Sequence, residues 1–323
     1  MILYNTSTDP YFNLACEEYL LDSDIREEIF MLWRNAPTVV IGRNQNAYAE
    51  LNADFIASNH IAVVRRLTGG GAVFHDLGNV NYSFITPEAG ATNLDFERFC
   101  KPVIAALGSM GLEACMSGRN DILADGRKIS GTAQCVRNGK ILHHGTLLYS
   151  ADMTRLAGAL NVNAAKIQSK GIKSVRSRVA NICDLLPEDK RMPVTAFIDT
   201  LFNYFGGSPA MLSPEMVQAV QKLSDEKYSK WEWNYGQSKQ YSMERSQRFD
   251  FGTVEILLDA EKGVIQNIQF RGDFFGRRDV SELSGLLTGQ RLERENLIRL
   301  LTDAPIGEYI MGAAPGEIAS LIV

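Results

Sequence analysis

Apolar residues near the N-terminus recur with the period of a helix. Asp9 and Pro10 favour a helix start, because Asp supplies an N-cap acceptor and Pro lacks an N–H that would have no partner there. The apolar stripe that follows at helical spacing contains Phe12, Ala15, Cys16, Tyr19 and Leu20. The pattern predicts an amphipathic helix that packs one face against a core.

Short runs rich in β-branched and aromatic residues follow, separated by turns that contain Asn, Pro or Gly. The predicted strands are 29–33, 38–41, 61–64, 80–85, 127–137 and 140–150. Asn138 and Gly139 lie between the last two strands, which predicts a tight β-hairpin. The predicted helices are 96–110, 152–160, 194–204 and 214–227. The chain therefore combines strands with flanking helices.

The pattern changes after Trp231, where an aromatic stretch gives way to the polar run 238–247. We interpret this run as a connection between domains and place the boundary near Ser238. The predicted domains are a catalytic domain at 1–238 and a C-terminal accessory domain at 239–323, the latter with a hairpin and two or three short helices. The C-terminal domain has no glycine-rich loop and no cluster of convergent polar residues. We therefore expect the catalytic residues in the N-terminal domain.

The composition narrows the class of protein. The chain has 38 acidic and 33 basic residues, and its net charge of −5 argues against a broad nucleic-acid-binding surface. Residues 1–10 lack the features of a signal peptide, and no run of eighteen apolar residues occurs, so we expect a soluble, cytoplasmic protein. Five scattered cysteines exclude a complete disulfide framework, and four histidines without helical spacing argue against a zinc site.

The segment 65–79 has the highest density of residues that could bind a ligand. The successive glycines 69–71 remove every side chain from a predicted loop, so its backbone N–H groups can approach a phosphate closely. Arg65 and Arg66 precede them and supply positive charge with bidentate donors for phosphate or carboxylate oxygens. The segment contains neither a P-loop nor a GxGxxG motif. A local anion site is one interpretation, and a flexible turn with surface arginines is the other.

A lysine flanked by glycines lies in the predicted strand further along the chain. Alternation predicts that Lys128, Ser130 and Thr132 share one face of this strand and that Ile129 and Gly131 share the other. Nearby glycines suggest a ligand packed against the backbone, whereas a lysine alone on an edge strand is usually solvated. We therefore interpret Lys128 as a functional lysine that reaches into a pocket.

Five segments together carry a resemblance to a known family. They are RRLTGGGAVFHDLGNVNYSF, SGRNDILADGRKISGTAQ, HHGTLLYSADMTRL, KGIKSVRSRVANI and WEWNYGQ. Their order and sequence resemble the signature segments of bacterial lipoate-protein ligases, and the similarity covers nearly the whole chain. The combination of RRxTGGGAVFHDxGN with a downstream GRKISGxA is highly specific for this family. The wider superfamily also includes biotin-protein ligases and octanoyl transferases.

The resemblance implies an α+β fold of the biotin/lipoate ligase type, in which helices flank a mixed or antiparallel sheet, with a small C-terminal α/β accessory domain. It also implies that ATP adenylates (R)-lipoate with release of pyrophosphate, and that lipoyl-AMP then acylates a lysine of an apo lipoyl domain. The implied acceptors are E2 subunits of 2-oxoacid dehydrogenases and the glycine cleavage H protein. Mg²⁺ is expected with ATP, because it usually accompanies triphosphate substrates.

Carried over to this sequence, the resemblance implies an ATP site and a lipoate site that meet at one lysine. The ATP-binding positions are Arg66, Gly71, Ala72, Val73, Phe74 and Lys128. The candidates for lipoate binding are Gly70, His75, His144 and Lys128. Between two anions, the Lys128 ammonium would reduce their repulsion and stabilise the transition state. Both histidines are alternatively core residues, and His143 and His144 should point to opposite faces of a strand.

Two further features have more than one interpretation. Asp121 has three possible interpretations: a ligand of Mg²⁺, a partner that orients Lys128, or a turn residue. The basic segment 170–181 is either a solvated loop or a cover that orders over the adenylate and excludes water. Its basic residues are Lys170, Lys173, Arg176 and Arg178.

Three other functions compete with this interpretation. A lipoyl or octanoyl transferase would need a reactive thiolate, and Cys135 is the only cysteine near the predicted site. A biotin ligase would be expected to carry a GRGRxG-type loop in place of RRLTGGG. A non-catalytic lipoate-binding protein is disfavoured by the joint presence of the lysine, the glycine loop and the arginine pair.

Overall fold

The computed structural model describes residues 1–45, 47–88, 94–160, 179–235, 243–261 and 263–323. The strands in these ranges are Ile2–Tyr4 (β1), Ile29–Trp33 (β2), Thr38–Ile41 (β3), Ala62–Arg65 (β4), Val73–His75 (β5), Asn79–Pro87 (β6), Ala114–Ser117 (β7), Asp121–Ala124 (β8), Arg127–Arg137 (β9), Lys140–Leu148 (β10), Met243–Phe249 (β11), Gly252–Glu261 (β12) and Val264–Gly272 (β13). The α-helices are Pro10–Asp22 (α1), Ala47–Glu50 (α2), Ala53–Ser58 (α3), Phe96–Ser109 (α4), Met153–Ala159 (α5), Ile182–Leu185 (α6), Val194–Phe205 (α7), Pro214–Leu223 (α8), Trp231–Asn234 (α9), Val280–Leu287 (α10), Arg294–Asp303 (α11), Ile306–Tyr309 (α12) and Pro315–Ile322 (α13). None of the helices within these ranges is both long and apolar enough to cross a bilayer.

Seven strands form one large sheet in the order β1-β2-β6-β10-β9-β8-β7. Its β1–β2 pair is parallel, and its other described pairs are antiparallel. Strands β4-β3-β5 form a small mixed sheet. Helices α4 and α7 cover one face of the large sheet through an apolar core that includes Val103 and Phe197, and α1 covers the other face. The implied α+β fold with a mixed sheet is confirmed.

Helix α1 begins as the sequence predicts but is buried more completely. The Asp9 carboxylate accepts a hydrogen bond from the Tyr11 N–H over 2.9 Å. The buried positions go beyond one face and include Glu17 and Glu18, because α1 lies between the large sheet, the small sheet and α8. The amphipathic pattern thus revealed the helix but understated its burial.

The predicted hairpin between β9 and β10 is confirmed. Asn138 and Gly139 have φ angles of 52° and 69°, the left-handed values that a type I′ turn requires. Arg137 and Lys140 form the pair that closes the turn. The turn sets the register of the two central strands, and that register positions the residues of the site.

Beyond residue 242, strands β11-β12-β13 form an antiparallel sheet with an apolar core of its own, followed by helices α10 to α13. Residues 243–247 belong to β11, so the prediction that they form a connection was wrong. Their polar character reflects an edge strand with mostly exposed side chains. Ser238 lies outside the described residues, and the division at this position stays a prediction.

The C-terminal region packs directly against Phe96, Arg119 and the glycine loop. The Phe275 ring is buried, lies 5.3 Å from the Phe96 ring, and has the Arg119 guanidinium 4.4 Å above it. The Gly70 N–H donates to the Phe274 carbonyl oxygen over 3.2 Å. This contact joins the glycine loop to the segment that follows the C-terminal sheet.

Candidate active site

An open cavity lies between the large and small sheets, with an empty volume of about 590 Å³ that includes the solvent at its mouth. Residues of both sheets and of helix α1 line it, among them Trp33, Asn81, Thr146, Val40, His75 and Leu14. The glycine loop and the Lys128 strand, which are far apart in sequence, both reach it.

One row of residues crosses the large sheet beside this cavity. Trp33 of β2 lies opposite Asn81 of β6, which lies opposite Thr146 of β10. Gly131 of β9 donates its N–H to the Thr146 hydroxyl over 3.2 Å and lies opposite Asp121 of β8. Since neighbouring strands are about 4.8 Å apart, the row extends for about 19 Å. The site therefore has an aromatic end and a charged end.

Lys128 provides the ammonium group of the charged end. Its Nζ lies 2.7 Å from Oδ1 of Asp121, and the two side chains are 34% and 36% exposed. The lysine side chain passes over Gly131, where an added β-carbon would lie 3.0 Å from Nζ. The ion pair and the missing side chain together hold the ammonium beside the cavity.

The predicted alternation along β9 is wrong around Lys128. The pairing of β8 with β9 shifts by one residue at Ile129, which is an extra residue in β9. A β-bulge of this kind changes which residues share a face. Lys128 therefore lies on the same side as Gly131, and Ser130 does not line the cavity.

The glycine loop lines the cavity only with its second half. Residues 71–73 do so, and none of the described atoms lies within 4 Å of the point where Gly71 would carry a β-carbon. Gly70, with a φ of 87°, faces Phe274 and Phe275 of the C-terminal region instead. The Phe74 side chain packs into the core beside the small sheet. Gly70 and the Phe74 side chain thus do not line the cavity.

Arg66 lines the cavity and holds the glycine loop in shape. Its Nη2 donates to the carbonyl oxygens of Gly69 and Gly71 over 2.7 and 2.8 Å. Burial lowers the pKa of Arg66 to about 10, so the side chain remains charged at neutral pH. Arg66 therefore adds positive charge beside residues 71–73.

The Arg65 guanidinium binds backbone carbonyl oxygens and not an anion. The expectation that both arginines contribute to an anion site is therefore wrong for Arg65. Its guanidinium donates to five backbone carbonyl oxygens at 2.8 to 3.0 Å, three in segment 42–45 and two in helix α9. The Trp233 indole donates back to the Arg65 carbonyl oxygen over 2.8 Å. Arg65 is thus a structural crosslink between β4 and the WEWN segment.

His144 belongs to a chain of buried hydrogen bonds that ends at the glycine loop. Its Nδ1 lies 2.9 Å from Oε1 of Glu17, and its Nε2 lies 2.8 Å from the Thr68 hydroxyl oxygen. That hydroxyl accepts a hydrogen bond from Nε of Arg66 over 2.9 Å. When Nδ1–H donates to Glu17, Nε2 accepts the Thr68 proton and every group has a partner.

His75 lies at the aromatic end, with its ring centroid 5.9 Å from that of Trp33. Its Nδ1 is 3.1 Å from the amide nitrogen of Asn35 and 3.4 Å from that of Asn81. Burial lowers the pKa of His75 to about 3, so the ring is neutral and carries its proton on Nε2. This Nε2 has no partner among the described residues. His75 is therefore a neutral part of the cavity wall.

His143 and Cys135 lie apart from the cavity. His143 points to the opposite face from His144, as alternation predicts, and stacks on Phe99 at 4.8 Å. Burial raises the pKa of the Cys135 thiol to about 12. A thiol that stays protonated is a poor nucleophile, so the transferase alternative loses its candidate cysteine.

For Asp121, the contacts support the interpretation that it orients Lys128. No group of three or more His, Cys, Asp or Glu residues that could hold a metal ion occurs in the described part of the chain. Mg²⁺ at triphosphate sites is usually held by one or two carboxylates plus phosphate oxygens, and Asp121 is a donor of that type. Its role as a metal ligand stays a prediction. The predicted cover residues lie outside the described residues, and they are Lys170, Lys173, Arg176 and Arg178.

Sequence reasoning missed the polar residues behind the cavity wall. Glu17 accepts a hydrogen bond from Ser83 over 2.6 Å, and Ser83 accepts one from the Trp33 indole over 2.8 Å. The available signal was a pair of glutamates, Glu17 and Glu18, in a helix in which most other residues are apolar. Charged residues are rarely buried unless they are paired.

Comparison with known proteins connects both parts of the chain to one family. The family model for the lipoyl protein ligase A/B catalytic domain matches residues 9–206, and the model for the bacterial lipoate protein ligase C-terminus matches residues 238–322. Lipoate-protein ligase LplJ of Bacillus subtilis is 41% identical over 322 residues, which cover 97% of each chain.

Solved structures give the same result. An archaeal bipartite lipoate protein ligase from Thermoplasma acidophilum, described together with its E2 lipoyl domain, is 28% identical, with a TM-score of 0.62 over 75% of this chain and 98% of that chain. A lipoate-protein ligase A bound with ATP is 27% identical, with a TM-score of 0.60 over 73% of this chain and 98% of that chain. The chain belongs to the lipoate-protein ligase family.

Proposed function

We propose that this lipoate-protein ligase converts lipoate and ATP into lipoyl-AMP and then transfers the lipoyl group to a lysine of an apo lipoyl domain, with Lys128 acting in both steps. The observation that carries the proposal is the position of Lys128. Its ammonium lies beside the cavity that residues 71–73 of the glycine loop also line. One cavity thus combines a backbone suited to phosphate, an ammonium suited to two anions and an apolar end suited to an acyl chain.

In the first step, a carboxylate oxygen of lipoate attacks the α-phosphorus of ATP and pyrophosphate leaves. The Lys128 ammonium lies between the two anions, reduces their repulsion and stabilises the charge that builds on the phosphoryl oxygens. Backbone N–H groups of residues 71–73 bind phosphate oxygens while Arg66 keeps the loop in shape. Mg²⁺ delivered with the triphosphate would be held at Asp121 and would neutralise further phosphate charge.

The acyl chain extends along the row that crosses the large sheet. An extended eight-carbon acid is about 10 Å long, which corresponds to about two strand spacings. With its carboxylate at Lys128, the distal end lies near Asn81, His75 and Trp33. Leu14 completes the apolar wall.

In the second step, the neutral amine of the acceptor lysine attacks the carbonyl carbon of lipoyl-AMP. The amide forms as AMP leaves and the amine loses a proton, and Lys128 stabilises the carbonyl oxygen during the attack. The archaeal relative described with its E2 lipoyl domain supports lipoyl domains as acceptors. We extend the proposal to E2 subunits and the glycine cleavage H protein, in the cytoplasm.

Replacement of Lys128 by Ala tests the proposal. Loss of one positioned donor in an electrostatic site slows the chemical step by about a hundredfold to a thousandfold. We expect this loss in pyrophosphate release from ATP, Mg²⁺ and lipoate, and in transfer from preformed lipoyl-AMP to apo E2 domains and H protein, measured by mass spectrometry. Lys101→Ala is the control, because Lys101 is 70% exposed on α4. Normal formation of lipoyl-AMP by the Lys128→Ala variant would contradict the assignment.

A further inference from the structure

Glu17 lies behind the cavity wall and is connected to the aromatic end of the site and to the glycine loop. Its side chain is buried, with 1% of the residue exposed, and it does not line the cavity. A buried carboxylate is stable only when protein groups hydrogen-bond to it. One carboxylate oxygen accepts from the Ser83 hydroxyl over 2.6 Å and lies 2.9 Å from Nδ1 of His144. Two hydrogen-bond paths therefore meet at Glu17.

The first path leads to the aromatic end of the cavity. The Ser83 hydroxyl accepts the indole N–H of Trp33 over 2.8 Å. Trp33 is buried and lines the cavity. The orientation of the indole ring therefore depends on a hydrogen-bond path that ends at Glu17.

The second path leads to the glycine loop. His144 contacts the Thr68 hydroxyl at 2.8 Å, and that hydroxyl accepts from Arg66 over 2.9 Å. Arg66 then donates to the carbonyl oxygens of Gly69 and Gly71. His144, Thr68 and Arg66 are all buried, so solvent does not compete for these bonds.

We infer that Glu17 is a positioning residue that couples the binding of the acid to the binding of the nucleotide. The inference rests on the proposed function of the cavity. An acid that contacts Trp33 and His144 restricts both side chains, and the path through Arg66 passes this restriction to the glycine loop. The loop then loses less conformational entropy when it binds phosphate. By linkage, the nucleotide strengthens binding of the acid by the same factor.

The next residue in α1 offers a matched control. Glu18 is also buried and accepts hydrogen bonds from Lys227, Tyr228 and Arg137 at 2.7 to 2.9 Å. None of these three partners lines the cavity. Removal of either carboxylate leaves buried donors without an acceptor and lowers stability. Of the two neighbours, only Glu17 connects to the acid and nucleotide positions.

The test is the coupling factor between the two ligands. We would measure the dissociation constant of α,β-methylene-ATP with Mg²⁺ by calorimetry, with and without lipoate, for the unmodified protein and three variants. In the unmodified protein, lipoate should tighten nucleotide binding by about 5- to 150-fold, the usual range of coupling between sites. Glu17→Met should reduce the factor to about one. Glu17→Gln should retain most of it, because the amide oxygen still accepts from Ser83 and His144.

The Glu18→Met variant separates positioning from stability. It should keep the full coupling factor although its melting temperature falls. The inference is overturned by a factor of one in the unmodified protein, by an unchanged factor in Glu17→Met, or by an equal loss in Glu18→Met. Pyrophosphate release by the unmodified protein tests the proposed function separately. If release occurs while coupling is independent of Glu17, the inference alone fails.

Discussion

Three pairs of identical neighbouring residues divide their tasks between the active site and the scaffold. In each pair, consecutive side chains leave the backbone in different directions, so one member reaches the cavity or its supporting hydrogen bonds and the other stabilises the fold. The pairs are Glu17 and Glu18, Arg65 and Arg66, and His143 and His144. For the arginine and histidine pairs, residue type identified the positions at the cavity to within one residue, whereas sequence reasoning did not single out the glutamate pair.

Asp121 is the residue whose role is most directly testable. Asp121→Asn removes one charge from the ion pair with Lys128 but leaves an oxygen that accepts a hydrogen bond. Loss of a charge-assisted hydrogen bond corresponds to about 1.5 kcal/mol, or about a tenfold slower formation of lipoyl-AMP. Stability should hardly change, since both side chains are about one-third exposed.

Pyrophosphate release measures the effect of this change. Asp125→Asn is the matched control, because Asp125 forms an ion pair with Arg127 in the adjacent turn and is 78% exposed. An Asp121→Asn variant as active as the control would show that Lys128 needs no orienting carboxylate.

Among the elements, the glycine loop performs two tasks with consecutive residues. Gly69 and Gly70 allow the C-terminal region to approach, since a β-carbon on Gly70 would lie 2.8 Å from the Phe275 ring. Gly71 faces open cavity space. The motif therefore combines a packing requirement with a ligand-binding requirement.

Gly71→Ala should separate these two requirements. The added methyl group meets no described atom in the free protein, so the free energy of unfolding should change by no more than about 0.5 kcal/mol. It would occupy space needed by a phosphate, so the KM for ATP should rise. Gly70→Ala should instead lower the melting temperature, because the left-handed backbone and the Phe275 ring both oppose a side chain. A normal KM in Gly71→Ala would contradict the phosphate role.

Helix α1 contributes a pH-dependent part of the stability through Glu18. Burial by itself raises the pKa of Glu18, but hydrogen bonds from Lys227 and Tyr228 and the nearby charges of Lys227 and Arg137 outweigh burial, so the pKa is lowered. A carboxyl group with a lowered pKa in the folded state stabilises the protein above its unfolded pKa of about 4.3. This contribution disappears as the pH falls through the folded pKa.

Glu18→Gln should therefore destabilise the protein most at neutral pH. The difference in unfolding free energy between the variant and the unmodified protein should shrink as the pH falls below about 4.3. Urea unfolding at a series of pH values measures this difference. Glu97→Gln, at a 66% exposed position, serves as the control without such a trend. A difference that stays constant with pH would rule out this linkage.

On the scale of the whole molecule, the C-terminal region is docked onto the glycine loop and other segments near the proposed active site. Phe275 packs against Phe96, Arg119 donates to the carbonyl oxygen of Phe251, and Arg43 and Asp279 form an ion pair. The separate apolar core of residues 243–322 supports the proposed two-domain division near residue 238. Docking then contributes directly to the shape of the glycine loop.

Phe275→Ala tests this docking. Truncation of a buried Phe costs about 3–5 kcal/mol in protein cores, and here much of this loss should weaken the contact between the two regions. Hydrogen exchange of the Gly70 amide, which donates to Phe274, should become faster. Leu286→Ala is the control, because Leu286 is 50% exposed on α10. Unchanged exchange at Gly70 would mean that docking does not order the loop.

The sequence by itself determined most helices and strands, the hairpin at Asn138 and Gly139, the family, and the prediction that Lys128 and the glycine loop form one site. These features depend on local signals such as caps, turn residues and motif spacing. Only the tertiary structure decided that Arg65 is a crosslink, that Ile129 is a bulge, that Gly70 faces the C-terminal region and that Glu17 supports the cavity. Each of these depends on strand register or on partners distant in sequence, and local patterns carry no information about such contacts.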